Sequence, residues 1–522
     1  MIRLGRAVIR AEDLWSLIER RAEATPEALF AVDDEDRRLS FAAYRDAALR
    51  AAAGLFARGV GEGTRVSWQL PTRLESLVLA GALARLGAVQ NPILPIHRAR
   101  EVGFATRQTG ARLLIVPREF RGFDHAALAA GVAASQPGLE VLVVDPQLPE
   151  ADPAALPPAP PPAAGPPPLR WIFYTSGTTA EPKGALHTDR TILVAFTAMA
   201  ERLEVREDDR VALVFPFTHI GGIGWLAIAL ATGCSLIAVP VFDPEKSIEV
   251  LARHGVTQAT AGTAFHQAYL AAQRRHGPEP IFPRVRAFPG GGAPKPPQLH
   301  RDLVREMGGA GIVAGYGLTE CPVLAMGSPR DPDEKLAHTE GRANPPETEI
   351  RVVQADGTPA GSGEEGEIRA RGPQLFLGYL DASLDAEAFD AEGFFRTGDL
   401  GHLDADGHVV VTGRLKDVIV RKGENISARE IEDLLHAHPK VAEAAVVGLP
   451  DRASGERACA VVACRDALDP LGFDEMVAFL EAQGLARQKI PEQLEQLPAL
   501  PRNPTGKVLK HELRASLGQG SR

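Results

Sequence analysis

Cysteine is scarce in this sequence. Only Cys234, Cys321, Cys459 and Cys464 occur among 522 residues, and no two of them form a Cys-x-x-Cys pair. A disulfide framework needs several cysteines at close spacing, and a structural zinc site needs paired cysteine or histidine ligands. The sequence therefore argues against both kinds of cross-link.

Long apolar runs and an excess of basic residues are missing as well. No run reaches the length of about 18 consecutive apolar residues that a membrane-spanning helix requires. Residues 1–19 carry charges throughout instead of the apolar core of a signal peptide. The formal net charge of −10 at pH 7 gives no reason to expect nucleic-acid binding. We therefore expect a cytoplasmic protein with no transmembrane segment and no nucleic-acid partner, and a homo-oligomer stays open.

The composition is that of a globular protein, with 45% hydrophobic and 24% charged residues, and the chain is too long for a single core. In its first part, residues 64–70 and 88–94 have strand-like patterns, and residues 73–86 between them have a helical pattern. This β-α-β rhythm indicates a parallel sheet covered by helices. A second β/α set follows, and its last predicted strand is residues 258–261.

The pattern changes after residue 349, where short strands are separated by turns such as Asp356-Gly357. These strands predict a small antiparallel, barrel-like unit. Further on, Ser427-x-x-Glu430 is a capping box that opens a predicted helix. The predicted fold is therefore α/β, with two β/α sheet subdomains and the barrel-like unit in residues 1–412. A small α+β C-terminal domain is predicted for residues 413–522.

One stretch, residues 171–184, stands out chemically. An apolar, aromatic strand pattern runs into Thr175, Ser176, Gly177, Thr178 and Thr179, and Lys183 follows. Such a loop can direct backbone N–H groups and hydroxyls toward one anion while the lysine adds positive charge, which favours a polyphosphate ligand. The spacing is not that of the Walker loop. On composition alone, a plain Ser/Thr/Gly turn is the alternative.

Six further blocks follow this loop in order, at residues 215–219, 290–294, 315–320, 396–399, 412–426 and 501–507. They include Phe-Pro-Phe-Thr-His, Gly-Gly-Gly-Ala-Pro, Gly-Tyr-Gly-Leu-Thr-Glu, Arg-Thr-Gly-Asp and Asn-Pro-Thr-Gly-Lys. All seven blocks, in this order, resemble those of the adenylate-forming (AMP-binding) superfamily, and the chain is similar to its acyl-CoA synthetases, or acid–CoA ligases. The resemblance covers nearly the whole chain.

This resemblance implies an ATP-dependent carboxylic acid–CoA ligase that forms an acyl-adenylate, releases pyrophosphate, and then releases AMP. It implies ATP, Mg²⁺ and coenzyme A as cofactors, and a small-molecule carboxylic acid as the other partner. It also implies that the C-terminal domain is mobile and rotates about a hinge at Lys416 between the two half-reactions.

The resemblance further implies roles for single residues. In the phosphate part of the site, Lys183 and residues 175–179 would hold the β- and γ-phosphates. Glu320 would bind Mg²⁺, for which a hard oxygen ligand is suited, and Thr319 would donate to the α-phosphate. Lys507 would bridge the incoming carboxylate and the α-phosphate. Without the resemblance, Thr319-Glu320 is equally a helix cap, and Lys507 is a solvated surface charge.

In the nucleoside part of the site, Tyr316 would stack on adenine, Asp399 would accept hydrogen bonds from the ribose hydroxyls, and Arg414 would add a ribose or phosphate contact. His219 is implied as a catalytic residue that borders the coenzyme A tunnel. The other nucleotide- or coenzyme-binding residues implied by the resemblance are Gly291, Gly292, Ala293, Gly315, Gly317, Lys422 and Gly423.

The acid itself is only broadly specified. Residues 217–222 contain no carboxylate to pair with an ammonium group, which argues against an amino acid. The resemblance places mostly apolar or small residues around the acyl group, which favours a fatty, alicyclic or aromatic acid. They are His219, Ile220, Thr263, Phe265, His266, Gly317, Leu318, Cys321, Pro322 and Val323.

Two alternatives and one departure from the family pattern remain. The chain could be a stand-alone adenylating enzyme that loads an acyl group onto a carrier protein, or a non-catalytic ATP-binding homologue. Ala180 stands where the family commonly has glycine, and an alanine tolerates the loop only where its φ is negative.

Overall fold

A computed structural model describes residues 8–145, 147–161, 165–175, 182–293, 295–421, 424–451, 455–503 and 506–518. None of the helices formed by these residues is both long and apolar enough to cross a membrane.

Strands occur along the whole described chain. In order they are β1 (Leu29–Asp33), β2 (Arg38–Ser40), β3 (Arg65–Trp68), β4 (Val89–Pro92), β5 (Leu113–Pro117), β6 (Glu119–Phe120), β7 (Phe123–Asp124), β8 (Glu140–Val144), β9 (Trp171–Thr175), β10 (Lys183–His187), β11 (Arg210–Leu213), β12 (Ser235–Ala238), β13 (Phe288–Gly291), β14 (Ile312–Tyr316), β15 (Ala325–Met326), β16 (Arg342–Ala343), β17 (Glu349–Val353), β18 (Gly366–Arg371), β19 (Phe395–Leu403), β20 (Val409–Arg414), β21 (Val418–Arg421), β22 (Glu424–Ser427), β23 (Val441–Asp451), β24 (Gly455–Cys464) and β25 (Gln493–Gln496).

Helices alternate with these strands. In order they are α1 (Leu14–Ala24), α2 (Phe41–Phe56), α3 (Leu74–Arg85), α4 (Ala99–Thr109), α5 (His125–Ala134), α6 (Asp189–Arg202), α7 (Ile220–Thr232), α8 (Lys246–Arg253), α9 (Thr263–His276), α10 (Pro297–Met307), α11 (Asp333–His338), α12 (Asp385–Ala388), α13 (Ala428–His436), α14 (Phe473–Ala482) and α15 (Lys510–Gly518). Short 3₁₀ turns lie at Pro153–Ala155, Ala382–Leu384, Leu415–Asp417 and Arg487–Lys489.

Two sheets with covering helices form the first part of the molecule, as the alternating pattern predicts. The first sheet has the order β10-β9-β4-β3-β5-β8 and is parallel except for β10, which forms a hairpin with β9. The second has the order β11-β12-β1-β2. Gln258 forms single bridges to Val211 and Ala287, and so connects this sheet to a third group, β13-β14-β15-β16.

The helices begin where side chains satisfy free backbone N–H groups. Asp13 caps α1, because its Oδ1 accepts from the backbone N–H of Ser16 at 2.8 Å. Thr188 caps α6 in the same way, accepting from the N–H of Thr191 at 3.1 Å. The aromatic strand β9 is held against α6, since Trp171 Nε1 donates to Asp189 Oδ1 at 2.7 Å.

The later strands are antiparallel, as the short strands and Asp-Gly turns predict. β17, β18, β19 and β20 pair in chain order in one four-stranded sheet. Beyond it, a smaller domain contains the sheet β22-β21-β24-β23, with β25 parallel to β24. That domain has a core of its own, in which Ile431, Val446 and Leu480 are fully buried.

Three details differ from the sequence predictions or refine them. The segment predicted as a strand at residues 258–261 forms only isolated bridges, at Gln258, although the N–H groups of Ala259 and Ala261 still donate to Ala287 O and Pro289 O at 3.1 Å. In the predicted capping box, Ser427 Oγ accepts from Glu430 N at 3.3 Å, but the Glu430 carboxylate pairs instead with Lys489 at 2.7 Å. β20 continues to Arg414, two residues past the end of the first predicted domain, and that boundary stays a prediction.

Candidate active site

A cavity of about 970 Å³ lies where the β13-β14-β15-β16 sheet, the antiparallel sheet β17-β18-β19-β20 and the C-terminal domain meet. Its walls come from distant parts of the chain. The predicted site residues that line this cavity are Thr263, Gly292, Ala293, Gly315, Tyr316, Gly317, Asp399, Arg414, Lys416 and Lys507. The structure therefore brings together residues from five of the sequence blocks and from both domains.

One wall is made by the ends of two parallel strands, β13 and β14. Gly291 faces Gly315 in their register. A Cβ atom on Gly291 would lie 2.4 Å from the Gly315 carbonyl oxygen, so only glycine allows this approach. Gly291 itself lines a smaller cavity directly behind this wall. The close pairing brings Tyr316, the last residue of β14, to the cavity.

The opposite wall carries a carboxylate that is fixed on both sides. Asp399 and Arg414 face each other across β19 and β20, and Arg414 Nε lies 2.8 Å from Asp399 Oδ1. Tyr316 donates its hydroxyl to Asp399 Oδ2, also at 2.8 Å. Burial and the Asp399 charge raise the pKa of Tyr316 well above its usual value, so its hydroxyl stays protonated and remains a donor. A carboxylate oriented in this way is suited to accept from a diol.

Lys507 lines the same cavity from the C-terminal domain. Its backbone N–H donates to Asn503 Oδ1 at 2.9 Å, and its carbonyl accepts from Asn503 N at 2.9 Å, which fixes the turn that carries it. Burial and the Arg414 guanidinium lower the pKa of Lys507 to about 8. An anion in the cavity would stabilise the ammonium form, so this position is suited to an anionic ligand.

Lys183 and Glu320, the cation and the carboxylate predicted for the phosphate end of the site, both lie near Tyr379. Lys183 begins β10, opposite Thr175 at the end of β9. Its Nζ lies 5.1 Å from the centroid of the Tyr379 ring. The Tyr379 hydroxyl donates to Glu320 Oε1 at 2.8 Å. Glu320 and Lys183 thus both lie against one tyrosine, Glu320 at its hydroxyl and Lys183 at its ring.

Glu320 meets the requirements for a magnesium ligand. The residue is 7% exposed, and burial raises the pKa of its carboxyl, while the Tyr379 hydroxyl and the Lys183 charge lower it. A carboxylate offers about four lone-pair positions, so the Tyr379 bond leaves capacity for another ligand. Buried carboxylates are normally paired or bound to a metal, and Mg²⁺ prefers oxygen ligands.

Two predicted catalytic residues lie beside the cavity rather than in its lining. The carbonyl of Thr319 accepts from His187 Nε2 at 2.8 Å, which fixes the backbone just before Glu320. His219 caps α7, where its Nδ1 accepts from Gly221 N at 3.1 Å. Burial lowers the pKa of His219 to about 4, so the ring is neutral at physiological pH. The roles of Thr319 and His219 stay predictions.

Other predicted site residues lie outside the described part of the chain. They are Ser176, Gly177, Thr178, Thr179, Lys422 and Gly423. The departure at Ala180 lies outside it too.

Sequence reasoning missed Tyr379 and the ion pair between Glu340 and Arg429, which joins the two domains at 3.7 Å. Tyr379 follows Gly378 in an otherwise unremarkable apolar segment, and neither residue of the ion pair belongs to the blocks that define the site. Their partners are far away in sequence, so the chain offers no local signal for either contact.

Comparison with known proteins identifies family models that match both parts of the chain. The family model described as AMP-binding enzyme matches residues 18–380, and the AMP-binding enzyme C-terminal domain matches residues 430–507. The salicyl-AMP ligase / salicyl-S-ArCP synthetase of Mycobacterium tuberculosis is 36% identical, and the match covers 98% of this chain and 93% of that protein. The medium-chain fatty-acid–CoA ligase of Escherichia coli is 31% identical, over 98% and 93%.

Among solved structures, ATP-bound MatB from Rhodopseudomonas palustris superposes with a TM-score of 0.87 at 28% identity. The match covers 97% of this chain and 100% of that one. The likeness therefore extends over both domains.

Proposed function

The chain belongs to the AMP-binding enzyme family and is an adenylate-forming acid ligase, and on that premise we propose that it joins a hydrophobic carboxylic acid to coenzyme A. The reaction would consume ATP, pass through an acyl-adenylate, and release pyrophosphate and then AMP. A cytoplasmic location, where ATP and coenzyme A are available, is part of the same proposal.

The observation that carries the proposal is the meeting of Asp399 and Lys507 at one cavity. A fixed carboxylate suits the ribose of a nucleotide, and an ammonium group suits an anion that reacts beside it. Neither group alone would indicate a reaction. Together, in one space large enough for a nucleotide and an acid, they indicate that ATP and the acid bind side by side and react there.

Each of these residues would have its own role in forming the acyl-adenylate. Asp399, oriented by Tyr316 and Arg414, accepts hydrogen bonds from the ribose hydroxyls. Lys507 holds an oxygen of the substrate carboxylate next to the α-phosphate and offsets the negative charge of both. That oxygen then attacks the phosphorus atom and pyrophosphate leaves, so the carboxylate, a poor electrophile, becomes a mixed anhydride.

At the phosphate end, Lys183 and Glu320 would act together. Lys183 provides a positive charge for the departing phosphates, and Glu320 would hold Mg²⁺. When bound, that ion would neutralise phosphate charge and orient the leaving group. Thr319, whose backbone is fixed by His187, would donate its hydroxyl to the α-phosphate.

The acid proposed is apolar because the residues assigned to the acyl group are mostly apolar, small or neutral. Ile220, His266 and Cys321 are buried, at 5%, 1% and 0% exposure. Burial lowers the pKa of His266 to about 4, so its ring is neutral as well. A fatty, alicyclic or aromatic acid would fit such surroundings better than a charged one. Relatives named for salicylate and for medium-chain fatty acids support the same class.

A carrier-protein thiol is the second candidate for the acceptor. It is favoured by the relative whose name includes salicyl-S-ArCP synthetase. Both candidates share the adenylation half-reaction and differ only in the thiol that attacks the acyl-adenylate.

The proposal is tested by measuring pyrophosphate release over a panel of fatty, alicyclic, aromatic and amino acids, with and without coenzyme A. We expect release with apolar acids, and a marked increase with coenzyme A because the thiol removes the acyl-adenylate and allows turnover. Release with amino acids alone would contradict the proposed substrate class. Release that coenzyme A does not change would contradict the proposed acceptor and favour the carrier protein.

A further inference from the structure

Residues 376–380, a short segment between β18 and α12, are bonded to two separate parts of the site. Three backbone hydrogen bonds attach the segment to β10, the strand that begins with Lys183. They are Leu377 N to Leu186 O at 2.8 Å, Leu186 N to Gly378 O at 3.0 Å, and Leu380 N to Gly184 O at 2.7 Å. A fourth, from Phe376 N to Glu320 O at 2.9 Å, attaches it to the backbone of Glu320. The segment therefore connects the strand of the lysine to the loop of the glutamate.

Tyr379 belongs to this segment, and its side chain contacts both charged groups. Its hydroxyl donates to Glu320 Oε1 at 2.8 Å, and Lys183 Nζ lies 5.1 Å from its ring centroid. Tyr379 is only 6% exposed, so both contacts are made in a largely dry environment. A cation near the face of an aromatic ring is attracted by the ring's electron density, and a hydroxyl bond to a carboxylate is a strong hydrogen bond.

Lys183 and Glu320 carry opposite charges that attract each other, and Tyr379 gives each of them another partner. Opposite charges in a low-dielectric site attract each other and tend to form a direct ion pair. Such a pair would consume the carboxylate that is proposed to bind the metal and the ammonium that is proposed to bind phosphate. Tyr379 gives each charge a partner other than the opposite charge, a hydroxyl for Glu320 and an aromatic ring for Lys183.

We infer that Tyr379 is a positioning residue that holds Glu320 apart from Lys183 and oriented for a magnesium–nucleotide complex. The inference rests on the proposed function, because it takes Glu320 as the metal ligand. Tyr379 does not line the cavity, so its effect would act through Glu320. Groups that orient a metal ligand in this way typically change metal affinity when they are removed.

The test is Tyr379→Phe, which removes the hydroxyl and keeps the ring. The ring packs against Phe376, with centroids 4.9 Å apart, so the fold should persist. The matched control is Tyr44→Phe, since Tyr44 is also buried and donates its hydroxyl to Leu77 O at 3.1 Å, within the core of the first sheet. Calorimetric titration with ATP, at a series of free Mg²⁺ concentrations and without acid, measures binding separately from catalysis.

We expect Tyr379→Phe to require about tenfold more free Mg²⁺ than the unchanged protein for the same ATP affinity. Tyr44→Phe should match the unchanged protein. An unaltered Mg²⁺ dependence in Tyr379→Phe would overturn the inference. So would a loss of ATP affinity that is the same at every Mg²⁺ concentration and accompanies a lowered Tm, because that pattern indicates a structural role alone. If the unchanged protein shows no Mg²⁺-dependent ATP binding, the proposed function fails, and the inference fails with it.

Discussion

At the scale of single residues, the pKa of Lys507 makes the site sensitive to pH. Its lowered pKa of about 8 means that the ammonium form, which carries the charge proposed to act in adenylation, is lost as the pH rises through that value. We therefore expect the rate of pyrophosphate release, measured with both the acid and ATP well below saturation, to fall above about pH 8, because under these conditions the rate reports the pKa values of the free enzyme.

The matched variant for this prediction is Lys507→Arg, since a guanidinium group stays charged to far higher pH. The arginine variant will be slower, because its planar head group cannot occupy the same position, but its rate should not decline near pH 8. If the decline stayed at the same pH in the arginine variant, another group would be responsible for it.

Some residues of the site can be identified from the sequence, and others cannot. Asp399, Arg414 and Lys507 lie in compact blocks whose order along the chain indicates a nucleotide site, and the structure brings all three to one cavity. Tyr379 has no such block. It becomes significant only because folding places it against Glu320, 59 residues away along the chain. Contacts of this kind depend on tertiary packing, and no local pattern encodes them.

At the scale of secondary-structure elements, the close pairing of β13 and β14 is the feature most sensitive to a single change. Gly291→Ala would place a methyl group 2.4 Å from the Gly315 carbonyl, so the strands must move apart. We expect a loss of about 1–3 kcal/mol in the free energy of unfolding, as for other overpacked sites. ATP affinity should fall as well, because Tyr316 at the end of β14 would shift.

Gly131→Ala is the control, since it makes the same change inside helix α5, where nothing lies within 4 Å of the new methyl group. Alanine is the better helix former, so this variant should be more stable by about 0.5–1 kcal/mol. Urea denaturation and ATP titration of both variants provide the comparison. If Gly291→Ala were as stable as the unchanged protein and bound ATP equally well, the strands would not need glycine there.

Helices and strands could be predicted from the sequence where their hydrophobic periodicity is clear. Residues 64–70, 73–86 and 88–94 became β3, α3 and β4, with boundaries shifted by one or two residues. Residues 258–261 were predicted as a strand but are not assigned as one, because Gln258 forms isolated bridges to two neighbours instead of a continuous ladder. Whether a short extended segment pairs over its whole length is decided by the neighbouring strands, which the segment's own sequence does not contain.

At the scale of the whole molecule, the arrangement of the two domains depends on contacts that the sequence does not reveal. Arg429, on α13 of the C-terminal domain, lies 3.7 Å from Glu340 of the N-terminal domain. On its other side, Glu340 lies 3.8 Å from the buried Lys295, whose Nζ also donates to Thr339 O at 2.6 Å. Glu340 therefore lies between two positive charges, one from each domain. This contact is present in the domain arrangement in which Lys507 lines the cavity.

If the domain rotates between half-reactions, breaking this ion pair should affect only the first of them. We expect Arg429→Ala to slow acyl-adenylate formation about two- to fivefold, the range that a modest ion pair provides, because fewer molecules would have Lys507 in place. Thioester formation from presupplied acyl-adenylate should stay unchanged or become faster. Lys507→Ala should abolish the first step and likewise spare the second.

The control for the ion pair is Lys489→Ala, which breaks the 2.7 Å pair with Glu430. Both members of that pair belong to the C-terminal domain and line the same cavity, so its loss removes a similar contact without loosening the domain interface. Quench-flow measurement of both half-reactions separates the outcomes. Equal slowing of the two steps by Arg429→Ala would mean that the Arg429–Glu340 contact does not favour one domain arrangement. The same selective slowing in Lys489→Ala would mean that the effect comes from the cavity surface and not from the contact between domains.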